Sequence, residues 1–335
     1  MIKFNSSLIF FLVLIFGSIL RLLSLGDYPV GFFRDEAALG YNAYSILKTG
    51  MDEYGISLPL VFRSFEVFFL PAYVYLSIPL IEIFGLNEFS TRLLSAISGI
   101  VALILIYFIT YEIWKNKKVA LISMFVIAIS PWHIFYSRGA FEGNIALTTF
   151  CAGFLFWLKF TEKEKVKFFF FSFLFFVLSM YCYQSERLVV PLFGVVAASY
   201  SLKKLLPISK KLVLPFLIVL IVLLPILFLT FLPGGYHRAL GVSIFSDQRN
   251  APGWVNGTEP LMPKGQALLI NNELYLRTKQ VAALYLSYFS PRNLFSEGDY
   301  DQQRSVEKFS VFYSFMLPFL IIGLIHVLRK RTIRE

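Results

Sequence analysis

The sequence is poor in charge: only 16% of its 335 residues are Asp, Glu, Lys or Arg, where a soluble domain carries about 25%. It has two cysteines, Cys151 and Cys182, both inside apolar runs. That excludes a disulfide framework and a metal knuckle, and the two read as inert membrane thiols. Histidine is equally scarce. His133, His237 and His326 show no H-x-x-x-H spacing, which argues against a metal site built from histidines alone. There is no P-loop, no G-x-S-x-G and no G-x-G-x-x-G in context, so nucleotide-driven chemistry has no support. What the chain has is apolar surface: 57% of it is hydrophobic, with 38 Phe. A water-soluble fold cannot bury that much. A soluble enzyme, a disordered chain and a nucleic-acid-binding module are all excluded.

Runs near the length of a membrane-spanning helix, about 20 residues, fall at Leu8–Leu25, Phe89–Ile113, Val119–Phe135, Ile145–Phe160, Phe168–Tyr183, Leu188–Leu202, Leu212–Leu232 and Val311–Leu328. The net charge of +10 comes largely from lysine-rich clusters between them: Lys115–Lys118, Lys159–Lys167, Lys203–Lys211 and Arg329–Arg334. Eight crossings put all four clusters and Lys3 on one side, as the positive-inside rule requires. A ninth crossing at Val67–Phe84 would set Lys3 against the rest. That stretch, interrupted by Pro71 and Pro79, therefore reads as a re-entrant or interfacial pair of short helices.

The expected fold is an all-α polytopic membrane protein of about eight transmembrane helices. It forms one domain over 1–335 in the plasma (inner) membrane, with both termini cytoplasmic. Leu8–Leu25 lacks an A-x-A-like cleavage site and reads as a retained anchor, with Arg21 snorkelling to the headgroups. Two large outer loops follow from this topology, 26–88 and 233–310.

The unusual polar residues gather on the outer side. Asp35 and Glu36 follow the first span by about ten residues. A carboxylate pair at the interface suits a general base or a metal ligand. The simpler reading is a helix N-terminus, where acids are favoured, with Ala37–Leu47 as the helix. Asp52 and Glu53 follow its C-cap at Gly50 and read as turn residues. Arg63, Arg92, Arg138 and Arg187 lie at the outer ends of spans, where the positive-inside rule disfavours arginine. Each is explained either by an ion pair or headgroup contact or by an anionic ligand, since the guanidinium fork matches phosphate.

These residues carry a resemblance. Asp35-Glu-Ala-Ala-Leu-Gly-Tyr-Asn through Gly55 resembles the first outer loop of polytopic GT-C glycosyltransferases, in the branch of the protein O-mannosyltransferases and the lipid A aminoarabinose transferase. Phe84–Arg92, Ser130–Arg138, Tyr183–Pro191 and Tyr285–Phe295 are similar to further stretches of that family, in the same order.

The resemblance implies a membrane enzyme that takes a sugar from a polyprenyl-phosphate donor to a glycan, lipid or protein acceptor on the outer face. Asp35 would be the catalytic base. Arg138 and Arg187, then Arg63 and Arg92, would meet the donor phosphate, with a divalent cation as a further charge partner. Glu36 and Glu66 would contact the metal or the sugar. Relatives continue through more spans, so a chain lacking the C-terminal part is expected. The rival readings are a non-catalytic member that binds lipid-phosphate sugar, and a lipid or solute transporter. Transporters tend to show internal repeats and mid-span charge, and neither stands out here. The loop 233–310 is read as an acceptor lid over Gly241–Lys264, with a helix-like stretch at Gln266–Leu286.

Overall fold

The computed structural model describes residues 5–64, 67–205, 209–231, 273–297 and 309–330. The chain divides into two compact units, Met1–Thr230 and Phe231–Glu335, where the sequence reading treats 1–335 as one domain. The first unit holds ten helices among its described residues. They are α1 (Ser6–Leu22), α2 (Arg34–Thr49), α3 (Pro71–Phe84), α4 (Glu88–Trp114), α5 (Lys117–Ile129), α6 (Pro131–Arg138), α7 (Glu142–Lys163), α8 (Val166–Met180), α9 (Glu186–Leu205) and α10 (Ser209–Phe231). The second holds α11 (Glu273–Ser287), α12 (Pro291–Phe295) and α13 (Leu317–Lys330).

Each of the eight apolar runs carries helix. By length and composition α4, α7 and α10 can cross a membrane, and the bent pair α5–α6 makes a fourth candidate. The count of eight crossings rests on the sequence alone. At 27 residues α4 is roughly 40 Å long, enough for a hydrocarbon core of about 30 Å. It starts on a capping box: Asn87 accepts from the Ser90 N–H, and the Ser90 hydroxyl accepts from the Asn87 N–H. It packs against α1, α3, α5, α6 and α7.

Three expectations are corrected. Val119–Phe135 is not one continuous span. It breaks at Ser130-Pro131 into α5 and α6 with a 59° bend, because proline has no N–H to continue α5 and Ser130 caps the new helix. Val67–Phe84 is not a pair of short helices. Val67–Phe69 forms a strand (β2) antiparallel to Phe62–Ser64 (β1), with Phe62 opposite Phe69, and only then does Pro71 open α3. Aromatic and β-branched residues favour the pleated form, and proline suits the first helical position.

The third correction concerns Arg21, which does not snorkel. Its side chain is fully buried. It donates to the carbonyls of Gly17, Ala128 and Ile127 and to Nδ1 of His133 at 2.8 Å. The guanidinium thus satisfies carbonyls that the break leaves at the end of α5. Accepting from Arg21 puts the His133 proton on Nε2. The helices meet closely here: a Cβ added at Gly99 would lie 2.1 Å from the Ser137 hydroxyl.

In the second unit, the Phe312 N–H donates to the Leu294 carbonyl and the rings of Phe295 and Phe312 lie 5.8 Å apart. Helix α11 falls largely within the expected helix at Gln266–Leu286. The expected lid, Gly241–Lys264, lies outside the described residues.

Candidate functional site

The connection from α1 to α2 has little regular structure of its own, and two arginines hold it. Arg92, in the first turns of α4, is fully buried and meets Glu36 through two parallel bonds, Nε to Oε1 at 3.0 Å and Nη2 to Oε2 at 2.9 Å. Its remaining donors reach the carbonyls of Leu25, Gly26, Pro29 and Gly31. Arg138, at the end of α6, donates to the carbonyls of Leu20, Ser24 and Tyr28. Loop carbonyls that water would otherwise satisfy are thus taken up by guanidinium groups.

Glu36 is the centre of this arrangement. Besides Arg92, it accepts from the Phe33 N–H at 3.1 Å, capping α2, and from the Ala140 N–H at 2.7 Å. One carboxylate therefore ties α2 to α4 and to the α6–α7 connection. The two acids of the motif have separate fates: Glu36 points inward and is 5% exposed, whereas Asp35 is 38% exposed in the first turn of α2. The Asp35 carboxylate lies 3.7 Å from Nε of Arg34, which is 61% exposed.

Behind them the turn after α2 is structural, as its composition suggests. Gly50 takes the left-handed conformation at φ 72°. Asp52 is buried and accepts from the Tyr54 and Ile56 N–H groups. Asn42 donates to Glu53 and accepts from its N–H.

The expected phosphate ligands separate into two groups. Arg92 and Arg138 direct their donors at the protein's own backbone and at Glu36, so neither is arranged for an external phosphate. Arg63 is the exposed residue of strand β1, between buried Phe62 and Ser64, and lies over the ring of Tyr54 at 5.7 Å. Arg187 is in the first turn of α9, beside Glu186. The structure brings Glu36 to Arg92. Glu66 lies outside the described residues. Among the described residues no three His, Cys, Asp or Glu side chains are grouped to hold a metal ion. Glu36, expected as a metal or sugar contact, is committed to Arg92 and two N–H groups.

Sequence reading offered Glu142 and Glu186 only as ion-pair partners of the arginines, and Arg34 only as a neighbour of Asp35. Glu142 opens α7, is buried, and accepts from the Leu70 N–H at 3.3 Å, joining α7 to the end of the hairpin. Glu186 stands two residues before the apolar part of α9. Its Oε2 is buried without a hydrogen-bond partner, and burial pushes its carboxyl up to about 7, against the pull of a hydrogen bond to Ser179. For an acid raised in the folded state, the unfolded chain releases its proton first. Stability therefore falls as pH rises from about 4.5 toward 7. Glu186→Gln should escape that loss. Its thermal midpoint relative to wild type should rise between pH 5 and pH 8, and a pH-independent difference would contradict the assignment.

The arrangement defines a class: a polytopic helical membrane protein whose first inter-helix loop, held by Arg92 and Arg138, carries an acidic motif at the start of a helix. Comparisons agree. A family model described as dolichyl-phosphate-mannose-protein mannosyltransferase matches residues 71–229. The fold is similar to that of ArnT from Cupriavidus metallidurans bound to undecaprenyl phosphate, at TM-score 0.54 and 14% identity over 86% of this chain and 51% of that one. It is also similar to the archaeal oligosaccharyltransferase AglB from Archaeoglobus fulgidus, in complex with an inhibitory peptide and a dolichol-phosphate. There the TM-score is 0.53 and the identity 12%, over 98% of this chain and 45% of that one. A search of the curated proteins finds no match. The chain spans about half the length of the solved structures it resembles. These likenesses show a fold shared with ArnT and AglB, and the stretch 71–229 is similar to the mannosyltransferase family.

Proposed function

We propose that this chain carries the sugar-transfer site of a GT-C glycosyltransferase, with a polyprenyl-phosphate sugar as donor and Asp35 as general base. The observation that carries this reading is the division of labour within the motif. Glu36 and Arg92 fix the first turn of α2 from behind, and Asp35 is left partly exposed at its outer side. A base needs this combination of access and fixed position. The acceptor hydroxyl or amine loses its proton to Asp35 as it attacks the anomeric carbon. The bond from that carbon to the phosphate oxygen breaks, and the lipid phosphate leaves with the electron pair, so the configuration inverts.

The leaving phosphate gains charge, and a positive group beside it lowers the barrier. Arg63 and Arg187 take that role in our reading, because Arg92 and Arg138 are occupied with the loop. No step is assigned to a divalent cation. The lysine clusters place both termini on the cytoplasmic side, and the acceptor then arrives from the opposite face. Relatives that hold undecaprenyl phosphate or dolichol-phosphate support the donor class.

The test is release of lipid phosphate in membranes that contain the chain, across a panel of polyprenyl-phosphate sugars. Release from at least one donor, dependent on an acceptor, is expected. Binding of donors with no release from any would replace the enzyme by a lipid-phosphate-sugar-binding protein. Solute movement across vesicles without covalent change would replace it by a transporter.

A further inference from the structure

A cavity of about 480 Å³ lies between α7, α8, α9 and α10, within the range of small-molecule sites. Aromatic rings such as Trp157, Phe176 and Phe216 line it, and on α9 the small residues Gly194, Ala197 and Ala198 recess one wall. A Cβ added at Gly194 meets nothing within 4 Å. The polar side chains of the lining are satisfied internally: Ser172 donates to the Gly153 carbonyl, and Ser201 accepts from the Trp157 indole. Two serines in a lining of aromatic and aliphatic side chains give the slot little hydrogen-bonding capacity for a sugar, and a predominantly apolar cavity retains water poorly.

Its extent and its rim identify an occupant. From Gly194 to Leu205 it follows α9 for about 16 Å, half of a hydrocarbon core of about 30 Å and so the depth of one leaflet. At one end the lining residues are Phe160, Leu205 and Leu212. Each is followed or preceded immediately by a lysine: Lys159, Lys204 and Lys211. Lys204 crosses to donate to the Thr161 carbonyl of α7. The connections 159–167 and 203–211 together carry eight lysines against two glutamates. Basic clusters of this kind between helices attract anionic headgroups.

We propose that this slot holds an acyl chain of an anionic phospholipid from the cytoplasmic leaflet, with its headgroup against the lysines at the ends of α7, α9 and α10. The proposal rests on the orientation set by the lysines and not on transferase activity, so failure of either leaves the other standing. The phospholipid acts as a fourth wall for α9 and α10, filling space that side chains do not.

The experiment uses the full chain purified in mild detergent, with bound lipid extracted and quantified by mass spectrometry. Binding of phosphatidylglycerol and phosphatidylcholine is then compared by native mass spectrometry. Wild type should keep about one anionic phospholipid per chain in this slot. Gly194→Phe puts a ring at a position where an added Cβ meets nothing within 4 Å and should lose that lipid while keeping its helical circular dichroism. Lys204→Gln with Lys211→Gln should keep lipid but lose the preference for the anionic headgroup. Three results would overturn the proposal. They are wild type free of phospholipid, equal retention by folded Gly194→Phe, and displacement of phospholipid by equimolar polyprenyl phosphate, which would make the slot a seat for the donor's own tail.

Discussion

Asp35→Asn is expected to lower lipid-phosphate release by about 10²–10⁴-fold, the range lost with a positioned general base. Asparagine keeps the shape and polarity of the side chain but cannot take the acceptor's proton. The fold should tolerate it. Asp35 is 38% exposed and its ion pair with Arg34 is at the surface, where such pairs contribute about 0–1 kcal/mol. Donor binding, measured separately with a non-transferable analogue, should be nearly unchanged, because the base meets the acceptor. Wild-type turnover in the variant would remove Asp35 as the base. A loss confined to donor affinity would turn it into a binding residue instead.

Arg92→Leu should destabilise the protein by about 3–5 kcal/mol, the cost of leaving one member of a buried ion pair alone. Glu36 would lose its two-bond partner in a site with almost no solvent, and four loop carbonyls would lose their donors. Glu36→Gln should be milder, since the amide oxygen can still accept from the Ala140 N–H and from Arg92. The double variant Glu36→Leu/Arg92→Leu should lose less than the sum of the two leucine variants, because no buried charge is then stranded. Thermal unfolding in detergent reads all of these. If Arg92→Leu melts with wild type, Glu36 and Arg92 do not form the joint described above. Activity in Arg92→Leu should fall as well, since the first turn of α2 is no longer held.

How much of this could be read from the chain depends on how local the interaction is. The Gly50 terminus is decided within three or four residues and was read from the sequence; the Asn87–Ser90 cap and the break at Ser130-Pro131 are equally local, but the apolar runs around them hid both. Asp52 was legible as Gly50 was, because its partners lie two and four residues away. Arg92 was half legible. Charge asymmetry says that an outer arginine requires a reason, but the reason is Glu36, 56 residues earlier, and no local pattern separates that partner from a phosphate. Arg21 was misread on the same ground: its acceptors at Ile127, Ala128 and His133 lie more than 100 residues along the chain. The hairpin β1–β2 escaped because three-residue strands of Phe and Val are indistinguishable from a broken apolar helix by periodicity. The division between Asp35 and Glu36 was beyond sequence, since adjacent acids look alike until a helix start turns one inward.

The reach of Arg21 sets a timetable for synthesis. When α1 leaves the ribosome none of its distant acceptors exists, and about 107 further residues must follow before Ala128 arrives. At 5–20 residues per second that interval is roughly 5–20 s. For that time the guanidinium has only its own helix, lipid headgroups and water for company, so the nascent helix must ride high enough to keep it wet. The arrival of α5 then draws α1 down to its final depth. With Arg21 kept, Ser18→Cys, one turn away, should be open to a water-soluble thiol reagent in a nascent chain stalled after residue 110 and protected in one stalled far enough beyond residue 138 for α6 to emerge; equal labelling of both would contradict the timetable.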